Sequence, residues 1–333
     1  MKEQIIKSCN EQIRTYNKKI AIIGMGYVGA GIAYALMIKD IAREIVFIDI
    51  RQEAINAEML DIRHGMHNMG SAKIINGTYS DIKDCDLIII TAGRNRKPGE
   101  SRLDLIEDNI KIADDVIKNV KEHYNQGVIL VVSNPVDIIT YYVSKKLNLP
   151  KGRVLGTGCL LDSSRLTNVI SDYVGLGAEF INATVIGEHG ANQIPLWSKV
   201  EVAQMPIADY CKEMGIEFND EIKKQMADKV KGMGAEIISG KGKTYYGIST
   251  CVCYLADAIL NKRSVTASVS SVWSGEYGLN DVAISLPCLV DSNGIKHVLP
   301  LEMNHEEHKK LLETNTKMSN IVKEYFQNLF VKS

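Results

Sequence analysis

The sequence predicts a doubly wound α/β fold, a parallel sheet covered on both faces, followed by a mixed α+β half. Three observations predict it. Apolar runs of strand length at 19–23, 87–90 and 128–132 are continuous rather than alternating, as in strands buried on both faces of a parallel sheet. Helix-length segments separate such runs throughout the first half, giving a βαβ rhythm. Three glycines, Gly24, Gly26 and Gly29, stand in G-x-G-x-x-G spacing directly after the first run.

In chain order, a strand is expected at 19–23, a helix at 29–40, a strand at 44–50 and a helical stretch to about 64. Further strands are expected at 73–78, 86–91 and 128–133, with helical patterning at 104–123, 136–146 and 160–174. The second half mixes strands at 178–186, 264–272 and 281–290 with helices at 220–239, 245–260 and 305–326. Asn304 with Glu307 three residues on predicts a capping box for the last helix. No repeats, low-complexity segments or obvious linker interrupt the chain. The boundary is expected near 150, giving an extension over 1–17, a first domain over 18–150 and a second over 151–330 that share an extensive interface.

Composition narrows the class. At 333 residues, 45% apolar and 24% charged, the chain reads as an ordinary soluble protein with length enough for a core. A net charge of −1 leaves no basic footprint for nucleic acid or an anionic membrane. Its apolar runs fall far short of the roughly 20 residues needed to span a bilayer. The opening MKEQIIKSCNEQIRTYN has no apolar stretch of the secretory kind, so a cytoplasmic protein is expected. The seven cysteines are scattered, and the Cys251-x-Cys253 pair has no second pair to complete a zinc site. They read as reduced thiols, and no metal is expected.

The glycine motif carries the first functional expectation. Gly24 permits a tight turn, Gly26 lets backbone approach a pyrophosphate, and Gly29 lets the following helix pack on the strand. The helix N-terminus offers free N–H groups to phosphates. Asp49, 25 residues after Gly24, ends the next strand, where a carboxylate can bind a ribose 2′-hydroxyl and repel a 2′-phosphate. The combination points to NAD rather than NADP. A turn that merely needs glycines would not require strand, helix and acid together.

Four more segments carry polar residues that a scaffold does not need. Thr91–Leu105, TAGRNRKPGESRLDL, leaves a strand end with two glycines, a proline and three arginines, and reads as a mobile lid. Thr91 and Gly93 at its base count among the expected cofactor contacts. Ser133-Asn134-Pro135 ends the next strand. Asp162 and Arg165 sit three apart, so a helix puts them on one face, where a bland surface ion pair is the competing explanation. His189 lies in a glycine-flanked turn, Gly187-Glu188-His189-Gly190. Hydride transfer to a ketone needs a proton donor, which histidine suits, with a carboxylate behind it to raise its pKa. One arginine can grip a substrate carboxylate, and a second can stabilise charge on the carbonyl oxygen. His189, Asp162, Arg165 and Arg102 are the candidates.

These segments, in this order from about Lys18 to Phe326, resemble the L-lactate dehydrogenase family within the wider lactate/malate dehydrogenase superfamily. The resemblance implies a Rossmann-type NAD-binding domain followed by a substrate domain. It implies His189 as acid/base with Asp162 as its partner, Arg165 on the substrate carboxylate and Arg102 as the lid arginine that polarises the carbonyl. It also implies Asn134 near the nicotinamide and on the substrate carbonyl, and Thr244 and Ile248 lining the substrate and nicotinamide pocket. A cis Asn134–Pro135 peptide, a small 2-oxo or 2-hydroxy acid as substrate, and a homo-oligomer, dimer or tetramer, follow in the same way.

The chain departs from the pattern at several places. Arg96 stands where lactate enzymes of the family usually carry glutamine and malate enzymes arginine. Facing the substrate side chain, it would pair with a second carboxylate, and it predicts oxaloacetate reduction that rivals or exceeds pyruvate reduction. Glu188, Gly99–Leu105 and Thr244 resemble the lactate form. The reading taken is lactate dehydrogenase, with malate dehydrogenase as the alternative. Ala191 replaces an aspartate found in many relatives and removes one charge near the pocket. Thr167 and Asn182 replace the arginine and histidine through which allosteric bacterial relatives bind fructose 1,6-bisphosphate, so no activation is expected. Gly-Met-Gly-Tyr-Val-Gly also resembles nucleotide-sugar dehydrogenases, for which this chain is too short. A non-catalytic NAD-binding protein would have no need of His189, Asp162 and Arg165 together.

Overall fold

The computed structural model describes residues 17–94 and 102–326, the side chains of 102–104 excepted. Its strands are β1 (Lys19–Ile23), β2 (Glu44–Ile48), β3 (Lys73–Asn76), β4 (Leu87–Ile90), β5 (Val128–Val131), β6 (Val154–Gly156), β7 (Ile181–Asn182), β8 (Val185–Gly187), β9 (Gln193–Pro195), β10 (Glu201–Val202), β11 (Met205–Pro206), β12 (Val265–Ser274), β13 (Asn280–Asp291) and β14 (Gly294–Val298). Its helices are α1 (Tyr27–Ile38), α2 (Gln52–Gly65), α3 (Arg102–His123), α4 (Val136–Leu147), α5 (Leu160–Val174), α6 (Ile207–Met214), α7 (Asp220–Lys241), α8 (Tyr246–Leu260) and α9 (His305–Phe326).

The first six strands pair in parallel in the order β3-β2-β1-β4-β5-β6. Every residue of β4 and β5 is buried, because helices cover both sheet faces and leave no position for a polar alternation. The order reverses between β1 and β4, so the crevice at their carboxyl ends is where such a sheet takes a ligand. The sheet then continues into the second half. Ser270 of β12 pairs with Gly156 of β6, β12 pairs with β13 along nearly its whole length, and Ser285 of β13 pairs with Gly187 of β8. That last pairing delivers the histidine turn to the sheet. A second core, with Leu166, Val169, Ile170, Val185, Val202 and Val230, lies under the second half.

Several boundaries differ from the sequence reading for local reasons. The strand expected at 178–186 is broken. Ile181–Asn182 joins a small three-stranded sheet, and Val185–Gly187 joins the large one. At Val185 the backbone is held by side chains: Ser163 Oγ accepts from its N–H at 2.9 Å, and Ser268 Oγ donates to its carbonyl. The strand from 73 stops at Asn76 because Thr78 caps a short 3₁₀ turn with Asp81. The first helix starts at Tyr27, directly after the glycine turn, and stops at Ile38, with Asp40 at φ 49° just beyond. The last helix has its capping box: Asn304 Oδ1 accepts from Glu307 N–H at 2.9 Å, and Glu307 Oε2 from Asn304 N–H at 3.0 Å.

Candidate active site

Four loops meet at the carboxyl ends of β1, β2, β4 and β5. Gly24 adopts φ +104°, and a Cβ there would lie 2.6 Å from Ala92 N. A Cβ on Gly29 would lie 2.0 Å from Gly24 O, so only glycine lets α1 start so close to the strand. At Gly26 a Cβ would meet nothing within 4 Å, which leaves the backbone open on the side where a phosphate would approach. Thr91 donates its hydroxyl to Gly24 O and braces the turn. Asp49 reaches back from the end of β2, its Oδ2 accepting from Met25 N–H at 2.7 Å. Gly93 stands exposed at the base of the lid segment. An open glycine turn, a helix N-terminus and a carboxylate fixed beside them fit a dinucleotide.

Across the crevice, α5 carries Asp162 and Arg165 on one face, and the turn after β8 carries His189. Asp162, only 2% exposed, takes both: Oδ2 lies 2.6 Å from His189 Nδ1, and Oδ1 accepts from Arg165 Nη1 at 3.1 Å. A carboxylate only accepts hydrogen bonds, so Nδ1 carries a proton, and Nε2 is left for chemistry. Burial disfavours the imidazolium, but the hydrogen bond and charge of Asp162 outweigh it and hold the His189 pKa above its usual 6.5. Arg165, 14% exposed, is covered by α7, where a Cβ on Gly234 would lie 3.7 Å from Nη2. In sequence a surface ion pair was the rival explanation for Asp162 and Arg165; their burial beside His189 removes it.

The first turn of α8 packs between the two groups. Tyr245 lies 5.7 Å from Tyr27 of the glycine loop, ring centre to ring centre. A Cβ on Gly247 would lie 3.0 Å from Leu161 of α5. Thr244 and Ile248, both half-buried, flank this contact. Asn134 is exposed at the end of β5, and its peptide to Pro135 is cis. Arg96 and the side chain of Arg102 lie outside the described residues.

Two supporting residues escaped the sequence reading. Asn109, 2% exposed, donates to Asn134 O at 2.7 Å and accepts from Arg94 N–H at 2.8 Å, tying the lid base to the Asn134 turn. Asp137, on the first turn of α4, accepts the backbone N–H of His189 at 2.7 Å. Burial pushes its carboxyl up to about 7 against that hydrogen bond. The available signal was a carboxylate inside the otherwise apolar run that opens α4.

Known proteins match this arrangement along nearly its whole length. The family described as lactate/malate dehydrogenase, NAD binding domain, matches residues 18–156, and its alpha/beta C-terminal domain matches 159–329. The L-lactate dehydrogenase of Clostridium perfringens (strain 13 / Type A) is 39% identical over 302 residues, 91% of this chain and 95% of that protein. That of Acetivibrio thermocellus is 36% identical over 306 residues, 92% and 96% of the two chains. The crystal structure of the minor L-lactate dehydrogenase from Enterococcus mundtii, in a ligand-bound form, superposes with a TM-score of 0.89 at 34% identity, covering 93% of this chain and 99% of that one. These relatives do not favour the malate reading.

Proposed function

The chain belongs to the lactate/malate dehydrogenase family and is an NAD-dependent oxidoreductase of the L-lactate dehydrogenase type, and we propose how its residues divide the work. The observation that carries the assignment is the buried Asp162 bridging His189 and Arg165. NADH supplies the hydride when bound. The glycine turn and the N-terminus of α1 take its phosphates, Asp49 its ribose, and Thr91, Gly93, Asn134 and Ile248 border it. Arg165 binds the carboxylate of pyruvate through paired hydrogen bonds. Arg102 polarises the carbonyl, and Asn134 hydrogen-bonds it. Protonated His189 delivers a proton from Nε2 to the carbonyl oxygen, and Asp162 stabilises the imidazolium and fixes its ring. Thr244 borders the substrate methyl group. The nucleotide-binding half runs over 18–150 and the substrate half over 151–330. The assembly is a homo-oligomer, dimer or tetramer, in the cytoplasm. NADH oxidation by purified protein with pyruvate, with the product identified as L-lactate and a UDP-sugar as inert control, tests the reading.

Arg96 supports a second activity. It lies six residues before Arg102 on the lid segment, so closure would bring both over the substrate. On pyruvate it would be desolvated without a partner, and on oxaloacetate it would meet a carboxylate. Arg96→Gln is therefore expected to lower the oxaloacetate/pyruvate ratio of kcat/KM at least about tenfold. An unchanged ratio would remove Arg96 from substrate selection.

Fructose 1,6-bisphosphate at millimolar concentration is expected to leave the pyruvate KM unchanged. Thr167 on α5 and the exposed Asn182 of β7 are neutral where a bisphosphate site needs cations. A clear fall in KM on adding the effector would refute this.

A further inference from the structure

A general rule for dinucleotide folds sets an acid at the end of the second strand against 2′-phosphate, whereas an arginine near that position accommodates it. This chain has both, in contact. Arg51 lies two residues beyond Asp49, and its guanidinium closes on the carboxylate from both sides. Nε lies 3.2 Å from Oδ1 and Nη2 3.1 Å from Oδ2, and the Arg51 backbone N–H donates to Oδ1 at 2.9 Å. The two partners differ in freedom. Asp49 is 8% exposed and pinned to the glycine loop by Met25 N–H, whereas the Arg51 side chain is 60% exposed.

Two consequences follow. The Asp49–Arg51 pair that meets the adenosine ribose carries no net charge of its own, because the carboxylate is already paired. The repulsion that Asp49 alone would exert on a 2′-phosphate is offset before any ligand arrives. Second, the Arg51 side chain is 60% exposed, so its guanidinium has room to turn one face toward a ligand while it stays beside the carboxylate. Its planar fork of donors matches phosphate oxygens two at a time. A ribose hydroxyl would meet Asp49; a phosphate on the same ribose carbon would meet the outward face of Arg51.

We infer that Arg51 makes the ribose subsite tolerant of a 2′-phosphate, so that this enzyme binds and uses NADPH as a second cofactor behind NADH. The inference rests on the reading of Asp49 as the ribose-binding carboxylate. It predicts that cofactor choice is set by the Asp49–Arg51 pair rather than by the acid alone.

The test uses probes that lack nicotinamide and so do not depend on which 2-oxo acid is reduced. Dissociation constants of 5′-AMP and adenosine 2′,5′-bisphosphate are measured by calorimetry on the full-length protein and on Arg51→Met. The bisphosphate/AMP ratio of dissociation constants is expected to rise at least about tenfold in Arg51→Met, because the phosphate then meets an unpaired Asp49. The NADPH/NADH ratio of kcat/KM should fall in parallel. A smaller rise in the binding ratio overturns the inference. AMP binding also reports that the variant is folded. Failure of the wild-type protein to bind AMP would overturn the reading of Asp49 and the inference with it, whereas failure to reduce pyruvate would leave both standing.

Discussion

Replacing His189 by asparagine is expected to abolish turnover, lowering kcat by about 10²–10⁴-fold, the usual worth of general acid–base help. The substitution keeps a side chain able to hydrogen-bond Asp162 but removes the group that delivers a proton to the carbonyl oxygen. NADH affinity should stay near the wild-type value, because the glycine turn and Asp49 are held by other elements: Thr91 on Gly24, and Met25 N–H on Asp49 at 2.7 Å. Steady-state kinetics with pyruvate and a fluorescence titration with NADH separate the two effects. Retention of more than about a tenth of the wild-type rate would remove His189 from proton transfer.

Asp162→Asn is expected to cost about 10²–10⁴-fold in kcat, because an amide in place of the carboxylate no longer fixes the ring with its Nδ1 proton inward nor favours the imidazolium. The pH profile gives the second readout. Pyruvate reduction needs protonated His189, so the rate falls as pH rises through its pKa. Asp162 holds that pKa above 6.5 against burial, so removing the charge should move the fall to lower pH. Arg165 also loses its carboxylate partner at 3.1 Å, and pyruvate KM should change as the guanidinium is released. A variant whose rate falls over the same pH range as wild type would show that Asp162 does not tune the histidine.

The parts legible in the sequence were those whose chemistry is local. Gly24, Gly26 and Gly29 announce themselves by spacing; the structure gives Gly24 and Gly29 a steric reason and leaves Gly26 open. Asp162 and Arg165 share a helix face by period alone. What the sequence could not show was contact between distant segments. Asp137 acts on the backbone N–H of a residue 52 positions away, and no local pattern records that. The strand expected at 178–186 broke because serines from α5 and β12 hold Val185. The helix α6, eight residues long, and the two- and three-residue strands β9 to β11 are too short for an apolar period to be read. Arg51 was visible as a residue, but its two-pronged contact with Asp49 was not.

The central claim is that this crevice reduces a 2-oxo acid with a small apolar substituent. Its most direct test is kcat/KM for pyruvate and for oxaloacetate, measured side by side with saturating NADH. NADH oxidation is expected with both, with pyruvate turned over to L-lactate; no oxidation of NADH with pyruvate would contradict the claim.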